Sequence, residues 1–201
     1  MHIILGSSSP RRKQILGGLA DGFSIAHPEI DETPLAAELP EAFAVRIAEE
    51  KCRAILNSDA MGEYPALAIT ADTIVAIDDS VIGKPAGFED AVAMISRLNG
   101  RTHRVITALT LCSAEGADER KIRTGIETTE VTFKRLDREG IVRYLGSIDY
   151  RDKAGSYAFQ ENGSMIVAGF RGSATNIIGF PLRLFFAMLA DMGLAGSLFH
   201  I

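Results

Sequence analysis

Cysteine is scarce in this chain: Cys52 and Cys112 are isolated thiols without metal-type spacing. Their scarcity excludes a disulfide scaffold and fits a reducing compartment. A basic excess is also missing, since 21 Lys and Arg stand against 26 Asp and Glu, for a formal charge of -5. A surface that coats nucleic acid is therefore not indicated, and any anion site must be a local concentration of cations. The start, Met1 to Gly6, lacks the basic region and cleavable apolar core of a secretory signal. The most apolar late stretch is broken by Pro181 and Arg183. There is no internal repeat, low-complexity linker or composition break. The expectation is a soluble, cytoplasmic protein that binds neither membrane nor nucleic acid.

At 201 residues, 47% hydrophobic and 23% charged, the composition is ordinarily globular. That length fits one domain of mixed elements, or two small lobes sharing a core. The stretch from Ala66 to Ile77 is apolar and β-branched, which predicts a buried central strand, with Asp78-Asp79-Ser80 as a turn and Val81–Gly83 as a short return strand. Asp72 interrupts the apolar run. An isolated carboxylate there is costly to bury unless a cation, a metal or hydrogen-bond donors meet it. The hairpin would bring Lys84 back towards it, so a structural Asp72–Lys84 pair is one reading and a functional acid the other.

His2 to Leu5 reads as a strand entering Gly6-Ser7-Ser8-Ser9-Pro10-Arg11-Arg12. Ser9 suits an N-cap and Pro10 the first helical position, with Ile15, Leu16 and Leu19 facing inward. A small-residue loop, a helix start and two arginines make an anion site, although the Gly-Lys-Ser/Thr ending of a P-loop is absent. The alternative is an exposed basic helix start. Phe23 to Ala26 predicts another strand. Glu29, Asp31 and Glu32 then precede a Pro-punctuated loop, as a solvated turn or as ligands for a hard divalent cation.

Glu41 to Asn57 predicts a helix whose apolar face carries Ala44, Ile47, Ala48, Ala54 and Ile55. Lys51 falls in the middle of that stripe, either snorkelling to the surface or aiming its ammonium at an anion, while Arg46, Glu49 and Arg53 point away. Phe88 to Leu98 is an amphipathic helix closed by Asn99-Gly100. Strands from Arg101 to about Ser113 and from Lys121 to Lys134 predict an antiparallel pair. His103 reads as a hydrogen-bonded structural group or, less simply, as a catalyst without a nucleophile. Asp137 caps a helix to Gly146 with Ile141, Val142 and Leu145 inward. Between Asp152 and Gln160 small residues let backbone approach a ligand, and Lys153 and Gln160 offer a charge and an amide. Met165–Ala168 predicts a strand and Ile177–Met192 a last helix.

Taken in order, Ser7 to Arg12, Ile30-Asp31-Glu32, Lys51, Ala71-Asp72-Thr73, Gly83-Lys84-Pro85, Gly100 to His103, Lys153-Ala154-Gly155 with Gln160, and Asn176 to Pro181 resemble the Maf family of nucleoside triphosphate pyrophosphatases. The resemblance spans nearly the whole chain as one Maf-like domain, residues 1–201. Phe180 stands where Leu is usual, and Ser156 and Phe159 vary their segment. It implies an α/β fold, with a mixed, elongated β-sheet flanked by helices and two lobes around a central cleft, as in inosine-triphosphate pyrophosphatases. It also implies Asp72 as catalytic residue, Ser9, Arg12, Lys51, Lys84 and Lys153 as substrate-binding residues, and Glu32 with Asp72 as ligands of Mg²⁺ or Mn²⁺. Arg11, Thr73 and Gln160 match the subgroup that hydrolyses dTTP and UTP rather than 7-methyl-GTP. A homodimer is implied as well. The competing expectation is a nucleotide-binding regulator of septum formation with little turnover, which would need the cations but no base. A phosphatase releasing inorganic phosphate is a further alternative.

Overall fold

The protein is described by a computed structural model covering residues 1–62, 64–116 and 119–196. Its elements in chain order are β1 (His2–Gly6), α1 (Pro10–Gly17), β2 (Ser24–Ala26), α2 (Pro40–Leu56), β3 (Ala66–Ile77), β4 (Ser80–Ile82), α3 (Phe88–Leu98), β5 (Thr102–Ala114), β6 (Arg120–Phe133), α4 (Arg138–Leu145), β7 (Val167–Arg171), α5 (Ala174–Ile178) and α6 (Leu182–Asp191). Among the described residues, seven strands form a mixed sheet flanked by helices, in the order β2-β1-β3-β5-β6-β7 with β4 added to β3. β1 runs parallel to β2 and β3, whereas β4 pairs with β3 and β7 with β6 in antiparallel fashion. β5 and β6 are hydrogen-bonded neighbours separated by only five residues of chain, and a connection of that length permits only the antiparallel arrangement.

The chain gathers into two compact units. The first comprises Met1–Asp72, Thr107–Glu127 and the chain from Gly179 onward. Its strands β1, β3 and β5 are buried on both faces, and the two-residue period of a strand sorts their side chains into two clusters. Ile3, Leu5, Leu67, Ile69, Leu109 and Leu111 pack with Leu16 of α1 and with Phe185 and Leu189 of α6. Ile4, Ala66, Ala68, Cys112 and Ala114, on the opposite face, pack with Cys52 and Ile55 of α2. Both faces being covered explains why these strands read as apolar runs rather than as alternating patterns. Gly6 permits close approach here, since a Cβ on it would stand 2.3 Å from Ile55 Cδ1 and 2.6 Å from Thr70 Cγ2.

The second unit comprises Thr73–Ile106 and Thr128–Ile178. Val75, Ile77 and Ile82 of the β3–β4 hairpin, with Val105, Val131 and Phe133, take the inner faces of α3 and α4 against them. Asp78 and Asp79, at φ 50° and 56°, form the two-residue turn whose positive φ values match the twist of the strands. Arg101 and Arg104 pair with these two acids at 2.6 and 2.9 Å.

Most elements fall within a residue or two of the sequence expectation, and the departures have physical causes. β4 begins at Ser80, because two residues suffice for the turn. On α4 the inward set is Ile141, Tyr144 and Leu145 while Val142 is exposed, as the i, i+3, i+4 geometry requires. The Tyr144 hydroxyl is satisfied inside by the backbone O and N of Ala158 at 3.2 and 3.0 Å. Met165 ends a 3-10 turn (Gly163–Met165), so the expected strand starts later and extends to Arg171. The expected last helix is two, α5 and α6, separated at Gly179-Phe180-Pro181, where Gly179 has φ 101° and Pro181 has no N–H to continue the ladder. Among the described residues no helix is long and apolar enough to cross a membrane.

Candidate active site

Six expected site residues, Ser9, Arg11, Arg12, Glu32, Lys51 and Asp72, lie in the first unit. Along β3 the side chains from Ala66 to Ala71 are buried, and Asp72 follows with its side chain 13% exposed. α2 lies against this strand, tied by the Thr70 hydroxyl, which donates to the Ala48 carbonyl at 2.7 Å. Its buried face is Ala44, Ile47, Ala48, Cys52 and Ile55, and Lys51 sits four residues beyond Ile47 and three beyond Ala48. The side chain is only 12% exposed, so the lysine does not snorkel out. Its Nζ lies 3.0 Å from Asp72 Oδ1 and 2.7 Å from Glu32 Oε1. The ion-pair partner of Asp72 is thus Lys51 of α2 rather than the Lys84 suggested by hairpin geometry.

Arg12 completes this group. Ser9 caps α1, its hydroxyl accepting from the Arg12 amide at 3.5 Å, and Pro10 opens the helix as expected. The Arg12 side chain is buried. Nε donates to the Gly179 carbonyl at 2.8 Å and Nη1 to the Ser7 hydroxyl at 3.0 Å. Burial draws its guanidinium below the ordinary value, while the nearby carboxylates Asp72 and Glu32 work in the opposite direction and Arg11 adds to the lowering. It remains a cation at neutral pH. Ser7, whose hydroxyl also accepts from the Ser9 amide, was not singled out from sequence; its partner lies five residues away and only the turn brings them together.

Four more expected site residues belong to the second unit. Thr73 is half-buried, and Lys84 and Gln160 are exposed. Lys153 is buried and fully engaged, its Nζ donating to the Asp149 carbonyl and pairing with Asp152 at 2.9 Å and Glu161 at 3.7 Å. Gly155, at φ 69°, donates its amide to the Gly83 carbonyl at 2.9 Å, which places the turn after Lys153 beside the end of the hairpin that precedes Lys84. A Cβ on Gly155 would meet Val75 at 3.2 Å. His103 is a structural residue, packed edge-on to Phe133 and Tyr157 with Nε2 3.0 Å from the Tyr157 hydroxyl. Burial pushes it down to about 4, so it is neutral at pH 7.

Chemically, the first-unit cluster places two carboxylates on one ammonium next to a buried guanidinium. The oxygens of Glu32 and Asp72 lie within two hydrogen-bond lengths of each other, and Glu32 remains half open to solvent. No group of three or more His, Cys, Asp or Glu able to hold a metal occurs among the described residues. Two carboxylates fit a hard divalent cation that completes its shell with water and phosphate oxygens.

The sequence profile of the Maf-like protein family matches residues 2–192. The chain belongs to the Maf family. A Myxococcus xanthus relative named dTTP/UTP pyrophosphatase is 39% identical over 193 residues, covering 96% of this chain and 93% of its own length. One from Pseudoalteromonas atlantica with the same name is 37% identical over 193 residues, covering 96% and 98%. Among solved structures, that of the Staphylococcus aureus Ham1 protein is 13% identical with a TM-score of 0.43, covering 96% of this Maf chain and all of its own.

Proposed function

We propose that this Maf-family protein hydrolyses dTTP and UTP to the nucleoside monophosphate and pyrophosphate. The observation that carries the chemistry is the sharing of Lys51 by Asp72 and Glu32 beside the buried Arg12. The choice of substrate is supported by the relatives of that name, which align over almost the whole chain. Cations inside a net-acidic protein suit a triphosphate, and a carboxylate held at the end of a buried run suits proton transfer.

In the proposed reaction a water oxygen bonds to the α-phosphorus and the bond from that phosphorus to the β-bridging oxygen breaks. Asp72 takes the proton of the water. Arg12, Lys51, Lys84 and Lys153 neutralise charge that grows on the departing pyrophosphate, and Ser9 with the start of α1 supports the phosphates through hydroxyl and backbone donors. Glu32 and Asp72 would hold Mg²⁺ or Mn²⁺, which supplies Lewis-acid polarisation of the phosphate oxygens when bound. Lys51 then has two tasks, since it restrains both carboxylates before substrate arrives and offers its ammonium to phosphate afterwards.

Arg11, Thr73 and Gln160 are proposed to read the pyrimidine. A hydroxyl and an amide can match the carbonyl and imide edge of uracil or thymine, and the arginine narrows the space open to a purine. The resemblance also supports a homodimer, and the unpaired thiols Cys52 and Cys112 support a cytoplasmic setting.

The deciding experiment presents a panel of nucleoside triphosphates and measures pyrophosphate and inorganic phosphate separately. Specificity constants should rank dTTP and UTP above GTP, ATP and 7-methyl-GTP, with pyrophosphate as the released product. Gln160→Glu should erode that ranking more than it slows release. Binding without turnover would favour the regulator instead, and release of inorganic phosphate would favour a phosphatase.

A further inference from the structure

We propose that Arg46 is a positioning residue for Glu32: it clamps the segment that carries this carboxylate and thereby keeps Glu32 beside Asp72, where a divalent cation would be held. The inference rests on the reading of Glu32 and Asp72 as the metal carboxylates.

Residues 27–39 form neither helix nor strand, and every residue from Asp31 to Ala37 is exposed. Little packing fixes Glu32, whose side chain is 49% exposed. Ordering such a segment costs conformational entropy, and a half-exposed ion pair is a weak tether. α2 grips the segment at two consecutive residues instead. Lys51 reaches Glu32 at 2.7 Å, and Arg46 Nη2 donates to the Thr33 carbonyl at 3.1 Å.

The grip of Arg46 is extensive. Its Nε and Nη2 meet Glu38 Oε1 and Oε2 at 2.7 and 2.8 Å in a two-pronged bond. Glu38 Oε2 also accepts from the Leu35 amide at 3.0 Å. Nη1 bonds Glu50 at 3.3 Å, and the guanidinium stands 5.4 Å from the centre of the Phe43 ring. The Arg46 and Glu38 side chains are only 20% and 9% exposed, so solvent screens them less than a surface pair. The same bond holds the Glu38 carboxyl down to about 2. A lysine could supply the charge but not the fork that spans carboxylate and carbonyl together.

The sign of the effect on metal binding separates positioning from simple electrostatics. Arg46 is a cation in the same unit as the carboxylates, so its removal by Coulomb forces alone would tighten binding of Mn²⁺. Loss of positioning weakens it. The test is titration of the full chain with Mn²⁺ alone, free ion being read by electron paramagnetic resonance, with thermal melts to check folding. Arg46→Ala should weaken Mn²⁺ binding by about 10–100-fold, as loss of an outer-shell support does at metal sites, and Arg46→Lys should fall between it and wild type. Adding Glu32→Gln to Arg46→Ala should weaken binding no further than Glu32→Gln alone. Arg53→Ala, which removes an exposed pair with Glu49 on the same helix, should leave it unchanged. If Arg46→Ala does not fold, Glu38→Gln carries the test through hydrogen exchange at the Leu35 amide, which should lose protection. Unchanged or tighter Mn²⁺ binding in folded Arg46→Ala, or full protection at Leu35 in Glu38→Gln, overturns the clamp. If Glu32→Gln binds Mn²⁺ as wild type does, the metal reading falls and the clamp's purpose falls with it.

Discussion

Lys51 was conspicuous in the sequence because a charge in an apolar stripe needs a partner. The pattern could not name that partner: Glu32 and Asp72 reach it from a loop and a strand that only tertiary folding brings to α2. Asp72 was equally conspicuous, yet local hairpin reasoning pointed to Lys84 because contacts near in sequence are the ones a pattern reveals. Two predictions belong to these residues. Asp72→Asn should cut turnover by ~10²–10⁴-fold while the protein stays folded, since Lys51 keeps its bond to Glu32. Steady-state pyrophosphate release with saturating metal checks this, and near wild-type turnover would refute the base. Lys51→Met leaves two carboxylates without their shared cation. Mn²⁺ should therefore bind more tightly, by on the order of tenfold, even as turnover falls. Calorimetric titration would show an unchanged Mn²⁺ affinity if the lysine only filled space.

Elements were the most legible scale. β3 was delimited correctly from Ala66 to Ile77 by its unbroken apolar character, and α2 and α3 by their 3.6-residue period. Failures came where one residue outweighed the pattern: the apolar character of 177–192 continues through Gly179 and Pro181, but the helix cannot. The burial of Tyr144 in place of Val142 shows hydropathy misleading where angular position decides. A prediction at this scale concerns the contact of β1 with α2. Gly6→Ala would drive a methyl against Ile55 and Thr70, at separations no native Cβ keeps. The side chains must shift, and the cost should be about 1–3 kcal/mol in urea melts. A variant as stable as wild type would show that α2 yields freely.

At the scale of the whole molecule the two units were invisible in composition, because the chain passes between them within β3, β5 and β6 and after α5, never through a linker. Stability should carry a pH signature from His103. Its folded value, about 4, lies below the ordinary 6.5, so between those values the unfolded chain binds more protons. Stability is then complete above about pH 6.5 and is lost as the pH falls towards 4. From pH 7 to pH 5 the loss should be roughly 2 kcal/mol, and His103→Gln, which retains a polar partner for Tyr157, should remove most of that slope in denaturant melts. An unaltered slope would place its origin in other groups.

The interruption at Gly179-Phe180-Pro181 has a consequence for Arg12. In an unbroken helix the Gly179 carbonyl would be consumed by the amide of residue 183, four positions on. Because the ladder stops, that oxygen is released and accepts from Arg12 Nε, 167 residues away in the chain. The flaw in one helix thus becomes the anchor of an arginine at the start of another, and a substitution that healed the break would set that arginine adrift.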